Sequence, residues 1–133
     1  AALPMEPDTM YCLTNEALEA CTVTIHDTGT TAQVLDKTKL ESRDLYDVFL
    51  SGSASVLEIT NPAGRRGKEL IVFRDSFGSS MVPLLVNDYE TVWVLDTRYV
   101  SPAMLGRFVD FSGQDVLFLY STLILNSSSA LRK

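Results

Sequence analysis

Three polar triplets follow three apolar runs in the second half of the chain. The runs at residues 70–73, 92–95 and 116–119 end in Arg-Asp-Ser (74–76), Asp-Thr-Arg (96–98) and Tyr-Ser-Thr (120–122). Carboxylates, an arginine and hydroxyls are groups that bind polar substrates and take part in catalysis. In parallel sheets such groups gather outside the carboxyl ends of the strands, so we expect one crevice at that edge.

Ser76 is the candidate nucleophile. It lies at a strand-to-helix junction, where unpaired backbone N–H groups of the following helix can stabilise an anion beside the hydroxyl, and Gly78 permits close approach. A structural interpretation competes, because Asp and Ser are preferred caps for a helix that follows a strand. Asp96 and Arg98 raise the same question, since they form either part of a binding site or a structural ion pair.

A second candidate is Asp27-Thr28-Gly29, which is followed by Thr30 and matches the short signature of aspartic proteases. Such an enzyme pairs two carboxylates that share a proton, so a chain with one copy must dimerise. Asp-x-Gly after an alternating strand is also a common hairpin turn, and we favour that interpretation. The single histidine, His26, has no partners at metal-binding spacing, so we predict neither a metal site nor a cofactor.

Composition limits the classes of protein to consider. The 133 residues are 46% hydrophobic and 21% charged, which is typical of a globular domain. A net charge of −6 disfavours nucleic acid as a partner. No stretch approaches the ~18 apolar residues of a membrane span, and the first ten residues lack the features of a signal peptide. Cys12 and Cys21 form either a disulfide or two free buried thiols, and the sequence leaves both open.

The first part of the chain has the pattern of short antiparallel strands joined by loops. A turn at residues 27–29 separates the first two strands, Gly52 lies between the last two, and residues 61–68 form a solvated turn. We predict strands at residues 22–25, 32–35, 46–50 and 55–59.

From Glu69 onward the apolar runs alternate with helical segments at residues 79–87 and 102–111. This alternation is typical of a parallel sheet covered by helices on both faces. Ser101 and Pro102 suit the start of the second helix, and Pro83 predicts a late start or a kink in the first. The predicted fold is therefore α/β, with antiparallel strands and a loop in residues 1–45 and a parallel three-layer core in residues 46–133.

The segment at residues 69–100 resembles the SGNH-hydrolase-like branch that includes the alginate acetyltransferase-like proteins. More closely, it is similar to bacterial envelope proteins named for an Asp-His-His-Trp motif. Residues 74–77, RDSF, match that group's Lys/Arg-Asp-Ser-aromatic element, and residues 96–99, DTRY, match its Asp-x-Arg-Tyr element. Residues 46–53, YDVFLSGS, resemble a strand leading into a Gly-Gly-Asn turn, of which Gly52 matches one glycine. The resemblance covers about residues 46–120.

The resemblance implies an SGNH/flavodoxin-like sheet in an extracytoplasmic protein. It also implies that Ser76 is the nucleophile of ester hydrolysis or of acetyl transfer to a cell-surface polysaccharide. We expect the crevice to be lined by Asp75, Asp96, Arg98 and Gly52. A serine needs an imidazole and a carboxylate to activate it, and the group supplies both from an upstream Asp-x-His element.

That element is absent from this chain, because Thr24 stands two residues before His26. We therefore expect the chain to be part of a larger domain, inactive alone, with its export signal elsewhere. One alternative is a non-catalytic scaffold that binds an envelope polysaccharide or a protein through the same crevice. Ser53 favours the scaffold, since it replaces an asparagine that could donate to an oxyanion. A dimeric aspartic protease using Asp27 is the more distant alternative.

Overall fold

A computed structural model describes residues 9–131, and one six-stranded sheet organises them. The strands are β1 (Thr22–Ile25), β2 (Thr30–Ala32), β3 (Val56–Thr60), β4 (Glu69–Arg74), β5 (Thr91–Leu95) and β6 (Asp115–Leu119). Their order in the sheet is β2-β1-β3-β5-β4-β6. The antiparallel strands and the apolar runs thus share a single sheet.

The sheet is mixed and mostly antiparallel. β1 pairs antiparallel with both β2 and β3, and β3 pairs antiparallel with β5. β4 lies parallel to β5 on one side and to β6 on the other. The three apolar runs therefore pair in parallel, with β4 at their centre. The predicted parallel three-layer SGNH-like sheet is not confirmed, because only β4, β5 and β6 pair in parallel and they share one mostly antiparallel sheet with β1, β2 and β3.

The helices are short. The α-helices are α1 (Glu16–Ala20), α2 (Gly78–Met81), α3 (Pro102–Leu105) and α4 (Thr122–Asn126). The 3₁₀ helices are Lys37–Glu41, Leu45–Val48, Val82–Leu84, Val86–Asp88 and Ser128–Ala130. The helix predicted at residues 79–87 changes to a 3₁₀ helix at Val82, directly before Pro83, which is the interruption that a proline causes. The helix predicted at residues 102–111 ends at Leu105, and the Ser101 side chain makes no capping hydrogen bond to it.

Two of the predicted strands are corrected. Residues 46–50 do not form a strand, since a 3₁₀ helix at Leu45–Val48 leads into a turn where Leu50, Ser51 and Gly52 all have positive φ. Val48 and Leu50 are buried in this turn, which explains why the stretch is apolar without being extended. The strand predicted at residues 32–35 begins earlier, at Thr30, and ends at Ala32.

Hydrophobic side chains pack on both faces of the sheet, because successive residues of a strand point to opposite sides. One cluster contains Leu57, Val72 and Val94 of the sheet, covered by Val34, Leu50, Val82 and Val86. The other contains Val56, Ile71 and Leu95, covered by Val100, Leu105 and Val109. The ends of β4 and β5 are thereby held rigidly between two layers.

β6 is an edge strand with exposed apolar side chains. Val116 is 51% and Phe118 67% exposed, although Phe118 stacks on Phe73 with ring centroids 4.7 Å apart. The expectation that both faces of this run are covered is wrong for residues 9–131, because Val116 and Phe118 lie on the same face of the strand and both are exposed. The opposite edge, β2, is short and carries exposed threonines, which is how proteins usually protect a sheet edge.

Cys12 and Cys21 are both free thiols, so the structure contains no disulfide between them. Cys21 is buried and its thiol donates to the Ala17 carbonyl at 3.1 Å. Burial raises the pKa of the Cys21 thiol, which makes it a poor nucleophile at neutral pH.

The central strand β4 and the edge strand β6 give a direct test of the packing. Ile71 is fully buried, and its register partner Val116 is half exposed. We expect Ile71→Ala to lower the free energy of unfolding by about 2–5 kcal/mol, because it leaves a cavity. Val116→Ala should cost less than about 1 kcal/mol. Urea denaturation measures both, and equal losses would show that β6 is covered as tightly as β4.

Candidate functional site

The polar triplets do meet at one edge of the sheet, which we call the rim. β4, β5 and β6 end side by side there, with Phe73 opposite Leu95 and Arg74 opposite Leu119. Contacts then cross between the strand ends, since Thr97 Oγ1 lies 3.0 Å from the Tyr120 hydroxyl. The parallel pairing of β4, β5 and β6 therefore brings the three predicted triplets to one edge of the sheet.

Asp75 is a buried bridge within the rim. Its Oδ1 accepts a hydrogen bond from Phe77 N at 3.0 Å, and its Oδ2 accepts one from Ser121 N at 2.7 Å. Burial alone would raise the pKa of this carboxyl, but the hydrogen bonds from Ser121 and Phe77 and the Arg98 charge outweigh burial and lower the pKa. Both oxygens are thus used to hold backbone, which favours a positioning role over direct contact with a substrate.

Asp96 and Arg98 form an ion pair. Arg98 donates to the two oxygens of Asp96 from Nε at 2.9 Å and from Nη2 at 2.6 Å. Asp96 is fully buried, and its hydrogen bonds with Arg98 raise the pKa of the guanidinium. This geometry is that of a structural ion pair. The Arg98 side chain is 19% exposed, so it also reaches the surface.

Arg74 adds a second cation beneath the rim. Its side chain is 1% exposed, and Nη1 lies 3.5 Å from Asp96 Oδ2. Burial lowers the pKa of Arg74, and the nearby charge of Asp96 partly offsets that effect. Within residues 9–131, Nε and Nη2 of Arg74 have no hydrogen-bond partner.

Ser76 is exposed on the turn that follows β4. Neither its hydroxyl nor its backbone N–H has a hydrogen-bond partner in the described part of the chain. The N–H groups that follow are occupied, contrary to the expectation of free donors at the helix start. Their acceptors are Asp75 Oδ1 for Phe77, Asp75 O for Gly78, Ser76 O for Ser79 and the Tyr46 hydroxyl for Ser80. The donor left beside the hydroxyl is the N–H of Ser76 itself.

Gly78 is required for packing inside the protein. A Cβ at this position would lie 2.5 Å from the Cβ of Arg74. The close approach predicted for this glycine therefore occurs, but it occurs between the Ser76 turn and the buried arginine. This contact fixes the height of the turn above β4.

Tyr46 reaches the Ser76 turn from a distant part of the sequence. Its hydroxyl lies 3.2 Å from the Phe77 carbonyl and 2.8 Å from Ser80 Oγ, and it accepts from Ser80 N at 3.3 Å. Sequence reasoning missed this residue, because nothing in a 31-residue separation indicates such a contact. It assigned Tyr46 instead to a strand at residues 46–50.

Gly52 lies in a tight turn whose described contacts are local. Its φ is 88°, and a Cβ there would lie 2.6 Å from Asp47 Oδ1. The neighbouring Ser51 hydroxyl donates to Asp36 Oδ2 at 2.7 Å. No contact among residues 9–131 joins Gly52 to the rim, so its part in substrate binding stays a prediction.

His26 and Asp27 both serve the start of β3. His26 Nε2 lies 3.0 Å from Glu58 Oε2, and the imidazole stacks on Trp93. Asp27 accepts from Ser55 N, Ser55 Oγ and Val56 N at 2.8–3.2 Å. Burial tends to raise the pKa of Asp27, but these hydrogen bonds outweigh it and lower the pKa. Asp27-Thr28-Gly29 is therefore a turn whose carboxylate is fully engaged.

An apolar groove of about 660 Å³ opens beside the rim. Thr97 and Tyr120 lie on its rim side, and its walls include Phe73, Leu105, Phe118 and Leu125.

Among residues 9–131, no three His, Cys, Asp or Glu side chains are placed to hold a metal ion. In the same residues, no helix combines the length and the apolar character needed to cross a membrane.

The fold and the rim define an α/β protein that presents an exposed serine at the end of a central parallel strand. A family model described as "DHHW protein" matches residues 1–95. The chain therefore belongs to the DHHW protein family. No curated protein matches the chain.

Solved structures share the fold. A DHHW family protein from Eubacterium siraeum is 21% identical with a TM-score of 0.52, and the match covers 86% of this chain and 37% of that one. Bacillus cereus PatB1 is 22% identical with a TM-score of 0.57, covering 79% and 36% of the two chains. PatB1 with a sulfonyl adduct is 20% identical with a TM-score of 0.55, covering 79% and 37%. The chain thus spans little more than a third of the solved relatives it matches.

The contact between Gly78 and Arg74 predicts a sensitive position. Gly78→Ala forces Cβ into the Arg74 side chain, and we expect a loss of about 1–3 kcal/mol in the free energy of unfolding. Gly106→Ala is the matched control, because a Cβ there meets nothing within 4 Å. Thermal and urea unfolding measure both variants. Equal stability of the two variants would contradict the close approach.

Asp75 should make stability depend on pH. Its folded pKa lies below its unfolded value of about 3.9. Its contribution is therefore fully present above that unfolded value and is lost as the pH falls through the folded pKa. We expect Asp75→Asn to be less stable at pH 7 and to lose less stability on acidification than the wild type. Urea denaturation between pH 7 and pH 3 tests this, with Asp88→Asn on the exposed surface as the control.

Proposed function

We propose that this chain is the serine-bearing part of a cell-envelope acyl-ester hydrolase or polysaccharide O-acetyltransferase. The observation that carries the proposal is Ser76, whose exposed hydroxyl and backbone N–H are both without partners in residues 9–131. The turn around them is fixed by hydrogen bonds and by the Gly78 contact. A free hydroxyl on a fixed backbone is the arrangement that a nucleophile requires.

The chemistry follows from these two groups. Ser76 Oγ attacks the carbonyl carbon of an acyl ester, and the Ser76 N–H donates to the oxygen that becomes negative. The new Oγ–C bond leaves an acyl-enzyme as the ester C–O bond breaks and the alcohol departs with a proton. Water then completes hydrolysis, or a sugar hydroxyl takes the acyl group and completes transfer.

The base that accepts the Ser76 proton is assigned to residues outside this chain. A serine hydroxyl needs an imidazole held by a third group to become a strong nucleophile. His26 Nε2 is engaged with Glu58, and its ring packs on Trp93 and Phe108. We therefore propose that this chain alone is inactive and that the longer protein supplies the histidine and its carboxylate.

The family and its solved relatives support the proposal. One PatB1 structure carries a sulfonyl adduct. A sulfonyl group becomes covalently attached when a nucleophile attacks its sulfur, so a reactive nucleophile is compatible with this fold. The extracytoplasmic location and the polysaccharide or acyl-donor partner remain proposals that rest on the family resemblance.

A non-catalytic scaffold is the second candidate. Asp75 and Asp96, the carboxylates of the rim, are engaged with backbone N–H groups and with arginine, so neither is free to orient an imidazole. A scaffold would use the same rim to bind a polysaccharide or a protein. The aspartic protease is not proposed, because Asp27 is held by Ser55 and Val56.

A serine-directed fluorophosphonate separates the two functions. We expect the full-length protein to be labelled on Ser76, with peptide mapping by mass spectrometry locating the adduct. Ser76→Ala should reduce labelling by at least about 100-fold, because the attacking oxygen is removed. Ser112→Ala is the matched control, since its hydroxyl donates to Asp110 in an exposed turn.

Unchanged labelling in Ser76→Ala would place the reactive group elsewhere. If neither the wild type nor the variant is labelled and both bind polysaccharide equally, the protein is a scaffold. Labelling of the wild type with turnover of p-nitrophenyl acetate would support the hydrolase.

A further inference from the structure

We propose that Tyr46 is a positioning residue for Ser76, holding the turn that presents the nucleophile. This inference rests on the proposed function and adds a residue that the chemistry itself does not use. The hydroxyl of Tyr46 contacts residues on the far side of the turn, Phe77 and Ser80, and makes no described contact with Ser76.

The described hydrogen bonds of the Tyr46 hydroxyl all go to this turn. It accepts one hydrogen bond from Ser80 N at 3.3 Å. Its single proton is directed either to Ser80 Oγ at 2.8 Å or to the Phe77 carbonyl at 3.2 Å. A phenol with one donor and two acceptor sites therefore spends its hydrogen bonding on residues 77–80.

The side chain that follows the nucleophile does not hold the turn by packing. Phe77, the residue after the nucleophile, is 67% exposed, so its ring anchors nothing in the described core. The turn is instead fixed at three points. Asp75 ties its beginning to Ser121, Gly78 rests on Arg74, and Tyr46 closes its end.

Tyr46 is itself held firmly. The Asp44 side chain accepts from Tyr46 N at 2.9 Å and caps the 3₁₀ helix Leu45–Val48. The ring packs edge-on against Phe49 at 5.2 Å. Leu50, the residue after Phe49, lies in the large hydrophobic cluster. A rigid element thus carries the phenol to the turn.

The test measures the kinetics of Ser76 labelling by a fluorophosphonate in the full-length protein. Tyr46→Phe keeps the ring and removes the hydroxyl. We expect the maximal labelling rate to fall by about fivefold to tenfold, the size of effect that one neutral hydrogen bond produces. The reagent concentration at half-maximal rate should not change, because the binding surface is intact. Rates are compared at a temperature where circular dichroism shows both proteins folded.

Tyr89→Phe is the matched control. It also removes a phenol that is hydrogen-bonded, here to Asp115 Oδ2 at 2.9 Å, but at the opposite end of β6. Its labelling rate should equal that of the wild type. A fall as large as that of Tyr46→Phe would assign the effect to general destabilisation and would overturn the proposal.

A double-mutant cycle with Ser80→Ala tests whether Tyr46 acts through the turn. Ser80→Ala alone should slow labelling less than Tyr46→Phe, because Ser80 N remains. The double variant should be no slower than Tyr46→Phe, since the two residues share one interaction. Additive effects would refute the role of Tyr46. Normal labelling of Tyr46→Phe, in an experiment where the wild type is labelled, would refute it too. Both results leave the proposed function of Ser76 intact. An unlabelled wild type would refute the proposed function and this inference with it.

Discussion

The carboxylate of Asp75 joins the two chain segments that leave the parallel strands β4 and β6. One oxygen holds the first residue after Ser76, and the other holds the start of α4 across the strand gap. A buried carboxylate is costly unless it is fully hydrogen-bonded, and here both oxygens have backbone donors. The position of Ser76 therefore depends on a bond whose partners lie 46 residues apart. Loss of that bond would leave one oxygen of a buried carboxylate without its partner.

The other charged residues of the rim also hold it in one arrangement. Asp96 binds Arg98 through both oxygens and approaches Arg74, so one buried anion contacts both cations. Such pairs contribute little net stability, but they specify one arrangement, because any other leaves a buried charge unpaired. The carboxylates of Asp75 and Asp96 are thus occupied by hydrogen bonds within the rim. The hydroxyl and N–H of Ser76 differ from them in having no hydrogen-bond partner in residues 9–131.

Patterns in the sequence predict those elements of the structure that depend on residues close together in the chain. The apolar runs identify β4, β5 and β6, and the strand at Thr22–Ile25 with its Asp27 turn is confirmed. Apolarity does not tell a buried turn from a strand, so the Leu45–Val48 helix was missed. It also does not reveal which strand lies at an edge, as the exposed Phe118 shows. The hydrogen bonds of Asp75 and Tyr46 join residues 31–46 positions apart, and no spacing rule indicates them.

A crystal structure of the full-length protein after reaction with a small phosphonate tests the central claim most directly. The phosphorus should be bonded to Ser76 Oγ, with one phosphonyl oxygen within about 3 Å of Ser76 N. Asp75 should still accept from Ser121 N, because the turn is formed before the reagent arrives. An adduct on another residue, or a phosphonyl oxygen held only by groups other than Ser76 N, would contradict the assignment of nucleophile and oxyanion donor to this one residue.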